Sequence, residues 1–117
     1  MHHVLHTQEL PWKPFEAATL SGYALKPQVI GGEYTDAYSA DVVRIAPGGA
    51  SLSHVDSGRH AFYILQGRGE FTLAGENYAL RPGCVVKVPP GVPHEMRNDG
   101  DEPLVLLALY DPPRQRS

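Results

Sequence analysis

The feature that most limits what this chain can become is the even scatter of its 12 glycines and 11 prolines. In a helix interior glycine costs about 1 kcal/mol relative to alanine, and proline about 3. Spread along the chain rather than clustered, they mark many short elements joined by tight turns, not a disordered tract. Between these breaks the segments are short, alternating and rich in Val, Tyr, Phe, Ile and Leu, the composition of a pleated, half-buried strand. Residues 41–45 end at Ala46-Pro47-Gly48-Gly49, residues 61–65 at Gly67, and residues 69–73 at Ala74-Gly75. Residues 77–80 and 84–88 follow, the latter stopped by Pro89-Pro90-Gly91, and residues 104–110 come after the turn Asp99-Gly100-Asp101-Glu102-Pro103. None of this region holds apolar residues at three-and-four spacing for ten residues, so no long helix is expected. Regularly spaced short strands predict an all-β sandwich or barrel.

A length of 117 residues allows one domain with a real core. Residues 1–40 read as an N-terminal arm with early strands at 23–30 and 34–38, residues 41–111 as the barrel, and residues 112–117 as a loose tail. The net charge of -3, with acids and bases interspersed, offers no electrostatic case for nucleic acid or an anionic membrane. The lone cysteine, Cys84, cannot close an internal disulfide, and the N-terminus lacks a continuous apolar stretch of the secretory kind. A cytoplasmic location is the expectation.

Of the six histidines, His2, His3 and His6 lie in the arm and read as solvated. The other three stand at strand edges or turns. His54 and Asp56 are two residues apart, so on an extended segment both side chains point to one face and can grip one ion from one side. His60 follows the turn Ser57-Gly58-Arg59. His94 follows Pro89-Pro90-Gly91-Val92-Pro93, a rigid turn that fixes its ring. Three imidazoles and a carboxylate suit one divalent transition metal ion, whether Fe, Zn, Mn, Ni or Cu.

These spacings closely resemble the two motifs of the cupin superfamily. The first reads Gly48, five residues, His54, Val55, Asp56, three residues, His60, six residues, Gly67; the second reads Gly83, five residues, Pro89, Pro90, Gly91, two residues, His94, three residues, Asn98. The second matches at every position. In the first, Asp56 stands where the family has a second histidine, and His60 where it has glutamate. The resemblance, which spans residues 48–98, implies a double-stranded β-helix of the RmlC-like jelly-roll kind, as in small single-domain cupins. It also implies a homodimer in which the arm, with Trp12 and Phe15, packs on the partner.

Two coordination schemes are compatible with the four residues. Either His54, His60 and His94 bind the metal with Asp56 beside them, in the second shell or as a base, or Asp56 joins two of the histidines in a facial triad. The shortness of the Asp side chain favours the first. A metal-free pocket is the third possibility. On the strand through His60, Phe62 and Ile64 share the histidine's face and are expected to line the pocket, while Tyr63 faces out. Arg44 is a further candidate for the pocket, facing an anionic substrate. Cys84 reads as a packed thiol, and Asn98 as satisfying backbone groups before the last strand. The function expected is a metal-dependent enzyme on a small carbonyl or carboxylate substrate, of dioxygenase, isomerase, lyase or cyclase type. The alternative is a non-catalytic module binding a sugar or carboxylate.

Overall fold

Turn residues and strand-forming residues alternate along the chain, and the computed structural model, which describes residues 2–114, resolves them into nine strands. They are β1 (Lys13–Pro14), β2 (Leu20–Ile30), β3 (Ser39–His54), β4 (Arg59–Gln66) and β5 (Gly69–Leu73), then β6 (Glu76–Leu80), β7 (Val85–Val88), β8 (His94–Arg97) and β9 (Leu104–Asp111). Every pairing is antiparallel. The spatial order is β6-β5-β8-β3-β9-β4-β7, with β2 on β3 and β1 on β2. The sheet curls on itself into a jelly-roll barrel, and the only helical piece among the described residues is a 3-10 turn at Thr7–Glu9. No helix is long and apolar enough to cross a membrane.

The turn signal at Ala46-Pro47-Gly48-Gly49 does not end a strand. β3 runs through it for 16 residues. Its first half, Ser39 to Ile45, pairs with β9, and its second half, from Ala50, pairs with β8. The Pro-Gly-Gly stretch is therefore the bend at which one strand passes from one side of the barrel to the other. The register against β2 shifts there too: Tyr23 faces Ile45, but Ser21 faces Ala50. Gly48 adopts a φ of +81°, and a Cβ on Gly49 would stand 2.7 Å from the Ser21 carbonyl oxygen, so both positions require glycine.

The core follows from strict alternation. On β9, Leu104, Leu106, Ala108 and Tyr110 point inward and are buried. On β4, His60 and Ile64 are buried and Phe62 partly so, whereas Tyr63 and Leu65 face out, as the spacing predicted. Ile45, Ile64, Phe71, Val86, Met96 and Leu106 close the inner layer. Burying each such side chain contributes about 1.5–3 kcal/mol.

Four expectations are corrected. Residues 34–38 form no strand: after Gly31-Gly32 the N–H groups of Tyr34 and Thr35 both donate to the Gly31 carbonyl, and Tyr34, 66% exposed, has no face to bury. Residues 94–97, not read as a strand, form β8 between β3 and β5. β1 of the arm pairs with β2, and the Trp12 ring lies against Lys26 Nζ at 4.5 Å and the Arg44 guanidinium at 4.6 Å. Arg44 thus stacks on the outer face instead of entering the pocket, because its neighbours Val43 and Ile45 take the inward positions. Lastly, the described part of the tail is not loose. Arg114 donates its N–H to Ser39 Oγ at 2.8 Å and accepts from Gln28 Nε2 at 3.1 Å; residues 115–117 lie outside the described residues.

Candidate metal centre

Strand pairing brings the separated histidines together. His54 ends β3 and His94 opens β8, and the two are direct partners in the ladder, with ring centroids 4.4 Å apart. Asp56 sits in the short loop from β3 to β4, whose backbone is pinned when the Gly91 N–H donates to the Asp56 carbonyl at 2.8 Å. The Pro-Pro-Gly turn before His94 therefore positions Asp56 as well. His60 reaches the same space from β4.

The hydrogen bonds fix which ring atoms carry protons. Nδ1 of His54 lies 2.9 Å from the Leu52 carbonyl, and Nδ1 of His94 lies 2.9 Å from the Val92 carbonyl. A carbonyl only accepts, so each Nδ1 is the donor, and in the neutral ring each Nε2 keeps a lone pair. Both lone pairs face Asp56 Oδ2, at 3.2 Å from His54 and 3.4 Å from His94. Oδ2 is buried and has no hydrogen-bond partner among the described residues. With both rings neutral, two imidazole lone pairs and a carboxylate oxygen converge, a donor set suited to a cation, and the His60 Nδ1 stands 3.6 Å from that oxygen. Ligand atoms about 2.1 Å from a tetrahedral metal stand about 3.4 Å apart, so the spacing fits a bound ion. His54, Asp56 and His94 form a group that could hold a metal. The short Asp56 side chain, expected to stop short of the centre, reaches it because the loop carries its backbone inward.

His60 stands beside this group with its ring turned to other partners. Its Nδ1 is 3.6 Å from Asp56 Oδ2, and its Nε2 lies 2.9 Å from Arg114 Nη2, which can only donate. Burial, reinforced by the Arg114 charge and only partly opposed by Asp56, lowers the His60 pKa to about 4, so this ring is neutral at pH 7. Arg114 also lies 3.6 Å from Asp56 Oδ1, and its guanidinium stacks 4.3 Å above the centre of the Tyr110 ring. The sequence carried no signal for this residue, which lies in a short polar tail.

Above the group opens a cavity lined largely by aromatic and aliphatic side chains, among them Phe15, Tyr23, Phe62, Phe71 and Met96. Phe62 lines it as expected. Ile64, also expected there, shares the inward face of β4 but is wholly buried in the core and does not line the cavity. Phe15 belongs to the pocket of its own chain. Burial pushes the Tyr23 hydroxyl up to about 12, which keeps it protonated as a donor within the cavity. Cys84 packs against the core, and Asn98 bonds the Ile45 and Glu102 carbonyls at 3.0 and 2.7 Å, both as read from the sequence.

With fold and site described, the kinship is direct. A model of the Cupin domain matches residues 41–110, more than half of the chain. The chain belongs to the cupin family. Among solved structures, this cupin superposes on the polyketide cyclase RemF from Streptomyces resistomycificus with a TM-score of 0.85, at 18% identity over 95% of this chain and 80% of that one. It is also similar to a protein of Thermotoga maritima described as a predicted oxalate decarboxylase (TM-score 0.83, 20% identity, 92% and 97% covered). A third neighbour is KdgF from Halomonas sp. (TM-score 0.83, 22% identity, 98% and 97% covered). Likeness at these identities establishes the fold. An uncharacterised protein of Methanocaldococcus jannaschii is 40% identical over 52 residues, which cover 44% of this cupin and 42% of that protein's length.

Proposed function

We propose that this cupin is a metal-dependent enzyme acting on a small carbonyl- or carboxylate-bearing molecule, with one divalent transition metal held by His54, Asp56 and His94. The observation that carries the reading is the buried Asp56 Oδ2, without a hydrogen bond, facing two imidazole lone pairs. Two histidines and one carboxylate leave coordination positions open, the arrangement found in non-haem iron(II) oxygenases. When bound, the metal would polarise a carbonyl or carboxylate oxygen as a Lewis acid. Around it, the Nδ1–H donors to Leu52 and Val92 hold the two rings, and the aromatic walls exclude water. That two structural neighbours bear the names of enzymes, a polyketide cyclase and a predicted oxalate decarboxylase, supports the enzyme class and no particular reaction.

The test is metal content per chain, by elemental mass spectrometry, on untagged protein purified without chelator and again after reconstitution. About one equivalent is expected, and His94→Ala should lose it. Iron would direct substrate screening to oxygen uptake; zinc, nickel or manganese would direct it to isomerase, lyase or cyclase chemistry. No metal after reconstitution would sink the proposal and leave a metal-free binding pocket as the better account.

A further inference from the structure

We infer that Arg114 is the anion receptor of the cavity, selecting small organic acids with an apolar body over their neutral counterparts; this deepens, and rests on, the reading of the cavity as the substrate site.

The placement of Arg114 is built, and built from afar. Its backbone N–H donates to Ser39 Oγ at 2.8 Å, and its carbonyl accepts from Gln28 Nε2 at 3.1 Å. Ser39 is 1% exposed. Gln28 adopts a φ of +52°, uncommon for a residue with a side chain, and its own N–H donates to the buried Asp41 Oδ1 at 2.7 Å. Residues from β2 and β3 therefore clamp both polar groups of one C-terminal residue. The path leading to it is equally close: a Cβ on Gly58 would stand 2.9 Å from both the Asp111 carbonyl oxygen and Pro112 Cδ. The loop that carries Asp56 and the segment that carries Arg114 are thus packed against each other.

The clamp aims a guanidinium into the cavity. Among the described residues, Arg114 is the only Lys or Arg that lines the cavity. Nη2 is held by His60 Nε2 at 2.9 Å, and the planar face rests on Tyr110. Among the described residues, Nε and Nη1 have no hydrogen-bond acceptor, so donors remain for a ligand. The side chain is 34% exposed, so its charge is partly screened. Asp56 balances that charge in the metal-free protein. A divalent ion at the centre would leave two positive charges in excess, since the histidines are neutral ligands or neutral neighbours.

The remaining walls define the rest of the ligand. Phe15, Phe62, Phe71, Met96 and Leu106 offer only apolar surface, against which a carboxylate would pay its full desolvation cost. Arg114 offers a carboxylate its charged partner in the cavity, while an aromatic or aliphatic body packs against the Phe and Met side chains. Gln28 and Ser39 are positioning residues: they touch no ligand and act by fixing Arg114.

Phenylacetate and phenylacetamide share a shape and differ in charge, so the pair reads the receptor directly. Calorimetric titration of each would be run on metal-free and on zinc-loaded protein, with zinc affinity measured separately against a chromophoric chelator. Wild type should prefer the acid by about 10- to 100-fold, the value of a charge-assisted hydrogen bond. Arg114→Gln should abolish the preference while zinc affinity and amide binding stay within about threefold. Ser39→Ala and Gln28→Ala should each reduce it without removing the charge, and Arg114→Lys should restore part of it. Persistence of the preference in Arg114→Gln, or absence of any preference in wild type, would overturn the inference. A parallel loss of zinc affinity in Arg114→Gln would make the residue a structural partner of Asp56 and overturn it too. Should wild type bind no zinc, the acid–amide comparison on metal-free protein still judges Arg114.

Discussion

Replacing Asp56 by asparagine should stabilise the metal-free protein while it destroys the metal centre. In the metal-free state Oδ2 is buried with no hydrogen bond and faces the lone pairs of His54 and His94 at 3.2 and 3.4 Å. An unsatisfied buried acceptor costs about 1–3 kcal/mol. An asparagine amide puts a donor in that place, and one new hydrogen bond to an imidazole Nε2 contributes about 0.5–1.5 kcal/mol. Against this stands the loss of the contact with Arg114, 3.6 Å away and 34% exposed, a partly screened pair worth about 0.2–1 kcal/mol. The balance is a gain of about 0.5–4 kcal/mol for Asp56→Asn, read as a higher Tm. Chemical and thermal unfolding with chelator present, at pH 8, would measure it. The same variant should bind zinc at least about 100-fold more weakly, since the amide oxygen is neutral and its nitrogen repels a cation. A destabilised Asp56→Asn in the metal-free state would refute the claim that three acceptors converge there. It would mean that a proton or another donor already satisfies Oδ2.

Three further outcomes test the packing and the electrostatics. Ile64→Ala, at a wholly buried site, should cost about 3–4 kcal/mol, whereas Leu65→Ala, 47% exposed on the other face of β4, should cost less than about 1; urea unfolding of both checks the face assignment. Asn98→Ala leaves the Ile45 and Glu102 carbonyls and the Gly100 N–H without their partner, and should cost about 2–4 kcal/mol with metal content per folded chain unchanged. The His60 pKa is lowered from 6.5 to about 4, so the unfolded chain takes up the proton first as the pH falls. His60 therefore supports full stability above pH 6.5, and that support is lost between 6.5 and about 4. His60→Gln should flatten this window in the metal-free protein, and a wild-type profile no steeper than the variant's would contradict it.

Local signals carried much of the strand pattern, because period-two alternation and Gly/Pro breaks are properties of neighbours in the chain. Five strands, β4 to β7 and β9, lie within two residues of their expected positions. The breaks at Pro47-Gly48-Gly49 were legible as an interruption but not as a bend, since only the switch from β9 to β8 as partner distinguishes one from the other. β8 escaped notice because His94-Glu95-Met96-Arg97 is polar at alternate positions and too short to show a period.

The resemblance to the cupin motifs implied one site for His54, Asp56, His60 and His94, since a motif records which strand ends a fold pairs. What each atom faces is a tertiary matter. The Leu52 and Val92 carbonyls choose the tautomers, and the Gly91–Asp56 bond carries a short carboxylate to the centre. His60 turns to Arg114, a partner 54 residues away. Arg44 and Arg114 make the same point in opposite directions. A central arginine expected in the pocket stacks outside on Trp12, and a tail arginine expected in solvent lines the cavity. Sequence reports the charge and reach of each side chain, while the direction in which it points depends on strands brought alongside by the fold.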